Sequence, residues 1–82
     1  MNKKTYKICY YSILREKAGK ESEVLETEAS DLRGIYRQLN EQYKFGLEEP
    51  LITVAINDEF GNWESSIKSG DQLVFMTPVS GG

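Results

Sequence analysis

Ser69-Gly70-Asp71-Gln72-Leu73-Val74-Phe75-Met76-Thr77-Pro78-Val79-Ser80-Gly81-Gly82 is the stretch that decides the reading of this 82-residue sequence. Ser69-Gly70-Asp71 has turn chemistry. Gln72 to Met76 is rich in β-formers and reads as the last strand. Thr77 to Gly82 follows it directly and carries no charged side chain. Pro78 stiffens the exit by fixing φ. Val79 and Ser80 are small, and Gly81-Gly82 have no side chains. Four residues past Pro78 extend about 13–14 Å. Such a thread fits a channel too narrow for branched side chains and presents a carboxylate at its bottom. Chain ends are also commonly disordered and glycine-rich, so the di-glycine alone reads equally well as a frayed end.

Upstream, Leu51 to Asn57 is a second apolar strand, interrupted only by Thr53, as in a sheet interior. Pro50 closes the loop before it. Asp58 to Asn62 reads as a turn with Gly61 free to take positive φ. Trp63 and Ile67 anchor a short strand or a helical turn. Leu32, Ile35, Tyr36, Leu39 and Tyr43 recur on one helical face. The predicted helix spans Asp31–Tyr43, with Ser30 or Asp31 as N-cap and Phe45-Gly46 closing the segment. Gly34 within it costs about 1 kcal/mol relative to Ala. Thr5 to Leu14 reads as the first strand, Arg15 to Ser22 as a charged loop and Glu23 to Thr27 as a short second strand. The order is ββαβ, a short element, then β. The helical crossover requires a parallel pair in a mixed sheet. The fold class is therefore α+β: four or five strands with one main helix across one face, the last strand central and parallel to the first.

Composition narrows the chemistry. A chain of this length is one domain, predicted to span 1–82 with a flexible tail at 77–82. Net charge is −3, from 13 acids and 10 bases, which argues against nucleic acid as a partner. Cys9 is the single cysteine and histidine is absent. An intrachain disulfide, His-dependent catalytic dyads and Cys- or His-built zinc sites are thereby excluded. Cys9 reads as a small hydrophobe in the sheet. Glu48-Glu49 and Asp58-Glu59 lack the spacing and third ligand of a metal site and read as solvated turns. Arg15 and Glu16 read as solvated or paired loop residues, and Tyr36, Tyr43 and Trp63 as packing residues. No apolar run approaches the roughly 20 residues of a membrane span, and the start of the chain lacks signal-peptide character. A cytoplasmic location, away from membranes, is the expectation.

These motifs resemble the small, ubiquitin-like sulfur-carrier subunits of molybdopterin synthase along nearly the whole chain. Tyr10 to Gly19 resembles that family's first strand and its Arg-Glu-x-x-Gly loop. Val54-Ala55-Ile56-Asn57 resembles its central strand ending in Asn. Ser69 to Gly82 resembles its C-terminal signature, a Gly-Asp turn and strand followed by Pro-Val-x-Gly-Gly. Thr77 stands where the family often has a first proline, and Trp63 is unusual before the Gly-Asp turn. The resemblance implies a β-grasp, ubiquitin-like fold.

It also implies a function without a catalytic side chain on this subunit. An E1-like enzyme would use ATP to adenylate the Gly82 carboxyl, and a sulfur donor system would convert it to a thiocarboxylate. The large synthase subunit would take in the tail, in a heterotetramer, and use the sulfur for the dithiolene of molybdopterin. No cofactor would be bound; the covalent thiocarboxylate would be the active form. Gly82 would carry sulfur, Gly81 would give steric clearance, and Pro78 and Val79 would lie in the partner's channel. Arg15 could contribute to the activating-enzyme interface. Strand alternation turns Ile8, Tyr10, Leu73 and Phe75 toward the helix and Cys9, Tyr11, Val74 and Met76 away from it. Tyr11, Met76 and Phe60 would form an apolar patch beside the tail, at positions that match the family's apolar contacts. Packing beneath a loop is the alternative for these three. Three other functions remain open: a sulfur carrier for thiamin thiazole or another thio-product, a ubiquitin-like modifier joined to lysines, and a β-grasp binding module with an incidental tail.

Overall fold

The helix-side residues gather as the period of the sequence requires. In the computed structural model, which describes residues 3–77, Tyr6, Ile8 and Tyr10 of β1 (Lys4–Tyr10) are buried. So are Leu73 and Phe75 of β5 (Gln72–Met76) and Leu32, Ile35, Tyr36 and Leu39 of α2 (Leu32–Tyr43). Between and beside these run α1 (Ile13–Ala18), β2 (Ser22–Thr27), β3 (Thr53–Ile56) and β4 (Glu59–Phe60), with a 3-10 turn at Glu49–Leu51. The five-stranded sheet has the order β2-β1-β5-β3-β4. β5 is central, parallel to β1 and antiparallel to β3. The sheet is mixed and one main helix covers a face, as the sequence predicts.

The first strand is shorter than its apolar run suggests. It ends at Tyr10, and the predicted loop after it is largely α1. Ser12 turns the chain at φ 58, ψ −136, outside the regions that L-residues favour. Leu14 and Ala18, four residues apart, bury one face of α1, and Gly19 closes it in the left-handed conformation at φ 76. Ile13 and Leu14 are thus helical, not strand, residues.

Asp31 is the N-cap of α2; its carboxylate accepts from Gly34 N at 2.8 Å. A Cβ on Gly34 would lie 2.8 Å from that same oxygen and 3.2 Å from the Ala29 Cβ. The close cap explains a glycine where helix propensity disfavours one. α2 ends at Lys44, in the left-handed conformation at φ 59.

The later strands differ from the sequence reading in detail. β3 starts at Thr53 because Glu49–Leu51 wind into a 3-10 turn, with Pro50 near its start. The β3–β4 hairpin turns through Asn57 and Asp58, at φ 52 and 73. Two residues with positive φ between paired Ile56 and Glu59 give the tight turn whose twist suits a hairpin. Positive φ therefore falls on these two residues and not on Gly61. Gly61 answers a close approach: a Cβ there would meet Ser65 Oγ at 2.8 Å and Ile56 Cδ1 at 3.1 Å.

Trp63 belongs to an irregular segment, neither strand nor helix. Its ring stacks on Phe75 with centroids 6.1 Å apart, and its Nε1 donates to Glu49 O at 3.1 Å. Tyr36 stacks on Phe45 and donates its hydroxyl to Leu47 O at 2.6 Å. These contacts fasten the segments around Phe45–Glu49 and Trp63 to the core and confirm Tyr36 and Trp63 as packing residues. Tyr43 joins Tyr10 in donating to one oxygen of Glu23, at 2.7 and 2.5 Å. Burial pushes the Glu23 carboxyl up, but the two phenols and Lys20 outweigh it and hold it below its usual value. Among the described residues, no helix is long and apolar enough to cross a membrane.

Candidate functional site

The end of β5 is the natural place to look, because the uncharged tail leaves from it. The start of β5 is held by a polar clamp. Asn57 N donates to Gln72 O, and Gln72 N donates back to Asn57 Oδ1, both at 2.9 Å. Asn57 Nδ2 donates to Asp71 Oδ1 at 3.0 Å, and Lys68 N donates to the other carboxylate oxygen at 2.8 Å. The Asp71 and Thr5 carbonyls accept from Lys7 N and Gly70 N, at 3.1 and 2.7 Å. The Asn57 hydrogen bond and the Lys68 amide hold the buried Asp71 carboxyl below its usual range, against the upward pull of burial. The Asn at the end of β3 and the Gly-Asp turn thus act together, fixing where β5 begins and so where the tail starts.

On the face away from α2, Cys9, Val74 and Ala55 pair side by side across β1, β5 and β3. Phe60 pairs with Ala55 and is 78% exposed. Tyr11 is 49% exposed, and Met76 is half-buried. Tyr11 and Met76 thus reach solvent at the end of β5, while Phe60 lies level with Val74, nearer the β3–β4 turn. Val74, on this face as alternation requires, is buried between its paired neighbours. Cys9 is a half-buried free thiol. An open cleft of about 600 Å³ lies beside Phe60, between the β3–β4 hairpin and Ser65–Asp71.

Two further exposed apolar side chains flank the end of β5: Ile13, on α1, and Leu51, just before β3. The sequence pattern places both in strands, so neither stands out there. Arg15 and Glu16 are exposed. Glu49 is not simply solvated, since it accepts from Arg33 Nε at 2.9 Å. No cluster able to hold a metal ion exists among the described residues. Pro78, Val79, Gly81 and Gly82 lie outside the described residues.

Residues 8–82 match the model of the ThiS family. The chain belongs to the ThiS family. It is 31% identical over 78 residues to the molybdopterin synthase sulfur carrier subunit of Haemophilus influenzae, covering 92% of this chain and 96% of that one. The fold is shared with SAMP1 of Haloferax volcanii, a small archaeal modifier protein, at TM-score 0.76 and 20% identity over 95% and 99% of the two chains. It is also shared with a chain in the complex of subunits 1 and 2 of molybdopterin-converting factor from Helicobacter pylori. That match has TM-score 0.64 and 23% identity, over 95% and 99%. These structural likenesses show the β-grasp fold.

Proposed function

We propose that this ThiS-family chain is the sulfur-carrier subunit of a molybdopterin synthase. The observation that carries the reading is its identity, over almost the full length of both chains, with a curated subunit of that function. The site agrees with it: a clamped central strand leads to an uncharged, side-chain-poor tail, with an exposed apolar face beside it.

A carboxylate is a poor electrophile because its charge repels nucleophiles. In the proposed cycle, a Gly82 carboxylate oxygen attacks the α-phosphorus of ATP on an E1-like enzyme, and pyrophosphate leaves. A donor hydrosulfide then attacks the acyl carbon, AMP departs and the sulfur loses its proton, leaving the thiocarboxylate. Acid, base and phosphate-binding groups reside on the partners, in keeping with the absence of histidine here. Tyr11, Phe60 and Met76 dock the large subunit, Pro78 and Val79 direct the tail into its channel, and Gly81 lets the thread pass.

The test is mass spectrometry after incubation with activating enzyme, ATP and a sulfur donor. The C-terminal peptide gains the mass difference between sulfur and oxygen. Deleting Gly82 shortens the reach by about 3.3–3.6 Å, and misplacement on that scale costs a factor of ~100 or more in rate. The truncated chain folds and binds the large subunit but does not transfer sulfur. Full molybdopterin formation by it refutes the reading. Because SAMP1 shares the fold, the fold does not separate carrier from modifier. Isopeptide conjugates through Gly82 in cells, with no thiocarboxylate formed, favour the modifier; a thiazole product in place of molybdopterin favours the thiamin carrier.

A further inference from the structure

The two strands beside β5 both leave the sheet where β5 ends. On one side β1 stops at Tyr10, the partner of Phe75. Tyr11 N donates to Phe75 O at 3.3 Å, and Ser12 then turns the chain into α1, which packs beside the end of β5. On the other side Thr53 pairs with Met76, and Glu49–Leu51 approach it as a 3-10 turn. β1 and β3 stand about 10 Å apart across β5, two strand spacings.

Each departure carries an exposed aliphatic side chain, Ile13 at 41% and Leu51 at 52%. Neither belongs to the buried core cluster. The segments that carry them are uncharged, with Glu16 and Lys17 of α1 and Glu48 and Glu49 before Leu51 forming a charged border. Tyr11-Ser12-Ile13, Leu51-Ile52-Thr53 and Met76-Thr77 contain no charged residue, in a chain that is 28% charged. Uncharged, apolar segments with a charged border have the composition of an interface.

We infer that Ile13 and Leu51 form a two-sided apolar rim, and that the occupant of this rim is the lip of the large synthase subunit's tail channel. The inference rests on the synthase reading above and adds two residues which that reading does not use. Gly82 lies five residues past Thr77, at most about 17–18 Å of extended chain. A protein that encloses the carboxyl end of so short a thread must close over its root. The rim continues the face of Tyr11 and Met76 around both sides of that root. A charged lip would strand its charge against apolar side chains, so the matching surface is apolar.

The experiment compares Ile13→Ser, Leu51→Ser, Val24→Ser and Met76→Asp for affinity to the large subunit, by titration calorimetry with the full chain. Val24 is an internal control: it is 69% exposed but lies on β2, the far edge of the sheet. Ile13→Ser and Leu51→Ser each weaken binding about tenfold, the scale for a central interface side chain, and Val24→Ser does not. Urea midpoints of the three serine variants match the parent. If Ile13→Ser and Leu51→Ser bind like Val24→Ser while Met76→Asp weakens, the rim is wrong and the synthase reading stands. If either serine variant unfolds the free domain, that residue is core and the rim is overturned. If they impair only adenylation, the rim belongs to the activating enzyme and the inference also fails. If the parent binds no large subunit and yields no molybdopterin, the synthase reading itself falls.

Discussion

Replacing Asp71 with Ala removes a carboxylate that is 6% exposed and accepts two hydrogen bonds, from Asn57 Nδ2 and Lys68 N. Hydrogen bonds to a charged group contribute roughly 1.5–3 kcal/mol each. Asn57 is exposed, so its amide recovers water and part of that loss is returned. The net cost is about 2–4 kcal/mol, a large share of the roughly 4–12 kcal/mol available to a chain of this size. With a urea slope of about 1 kcal/mol/M, the midpoint falls by about 2–4 M. Asp71→Asn keeps one acceptor and loses roughly half as much. The pH dependence separates charge from shape. The Asp71 carboxyl sits below its ordinary 3.8 in the folded protein. Its contribution is complete above about pH 4 and is lost as pH falls through the depressed folded value. Asp71→Asn therefore flattens the acid limb of a thermal-stability profile. An unchanged urea midpoint for Asp71→Ala, or an acid limb of parental steepness in Asp71→Asn, refutes the clamp.

Leu39→Ala lowers stability by about 2–5 kcal/mol in urea titration, since Leu39 is fully buried under α2; a negligible shift means the helical face is wrong. Asp58→Gly raises the thermal midpoint by an amount equivalent to about 0.5 kcal/mol, because glycine removes the penalty at φ 73 and returns part of the gain as entropy. Gly61→Ala costs about 1 kcal/mol, read from the urea midpoint, through its contact with Ser65 Oγ, which must shift away from Asn62 N. Glu23→Gln removes the carboxylate shared by Tyr10 and Tyr43. Folded Glu23 titrates below its ordinary 4.5, so in a thermal-stability profile the substitution destabilises above pH 4.5 and narrows the parent's loss of stability below it.

Side-chain period carried most of the architecture. Apolar positions at helical spacing placed α2, and alternation at Ile8, Tyr10, Leu73 and Phe75 placed the core face of a central, parallel β5. These are local signals, repeated over enough residues to outweigh propensity. The uncharged tail was legible for the same reason: it is a composition, and composition needs no fold to be read. What escaped was wherever one residue's conformation depended on a distant contact. Thr5 to Leu14 is a continuous run of β-formers, yet the strand ends at Tyr10 because Ser12 turns the chain so that Leu14 and Ala18 can be buried. Leu51 has the pattern of a strand interior, yet the 3-10 turn leaves it exposed. Gly34 and Gly61 have the look of a propensity cost and a turn residue, but each is favoured by a side chain that a Cβ would push aside. Asn57 and Asp71, 14 residues apart, are ordinary turn formers until the sheet brings them within 3.0 Å. Periodicity and composition are properties of neighbours along the chain, and the sequence determines them alone. Burial, close approach and polar pairing join residues that are remote along the chain, and only the tertiary structure decides them.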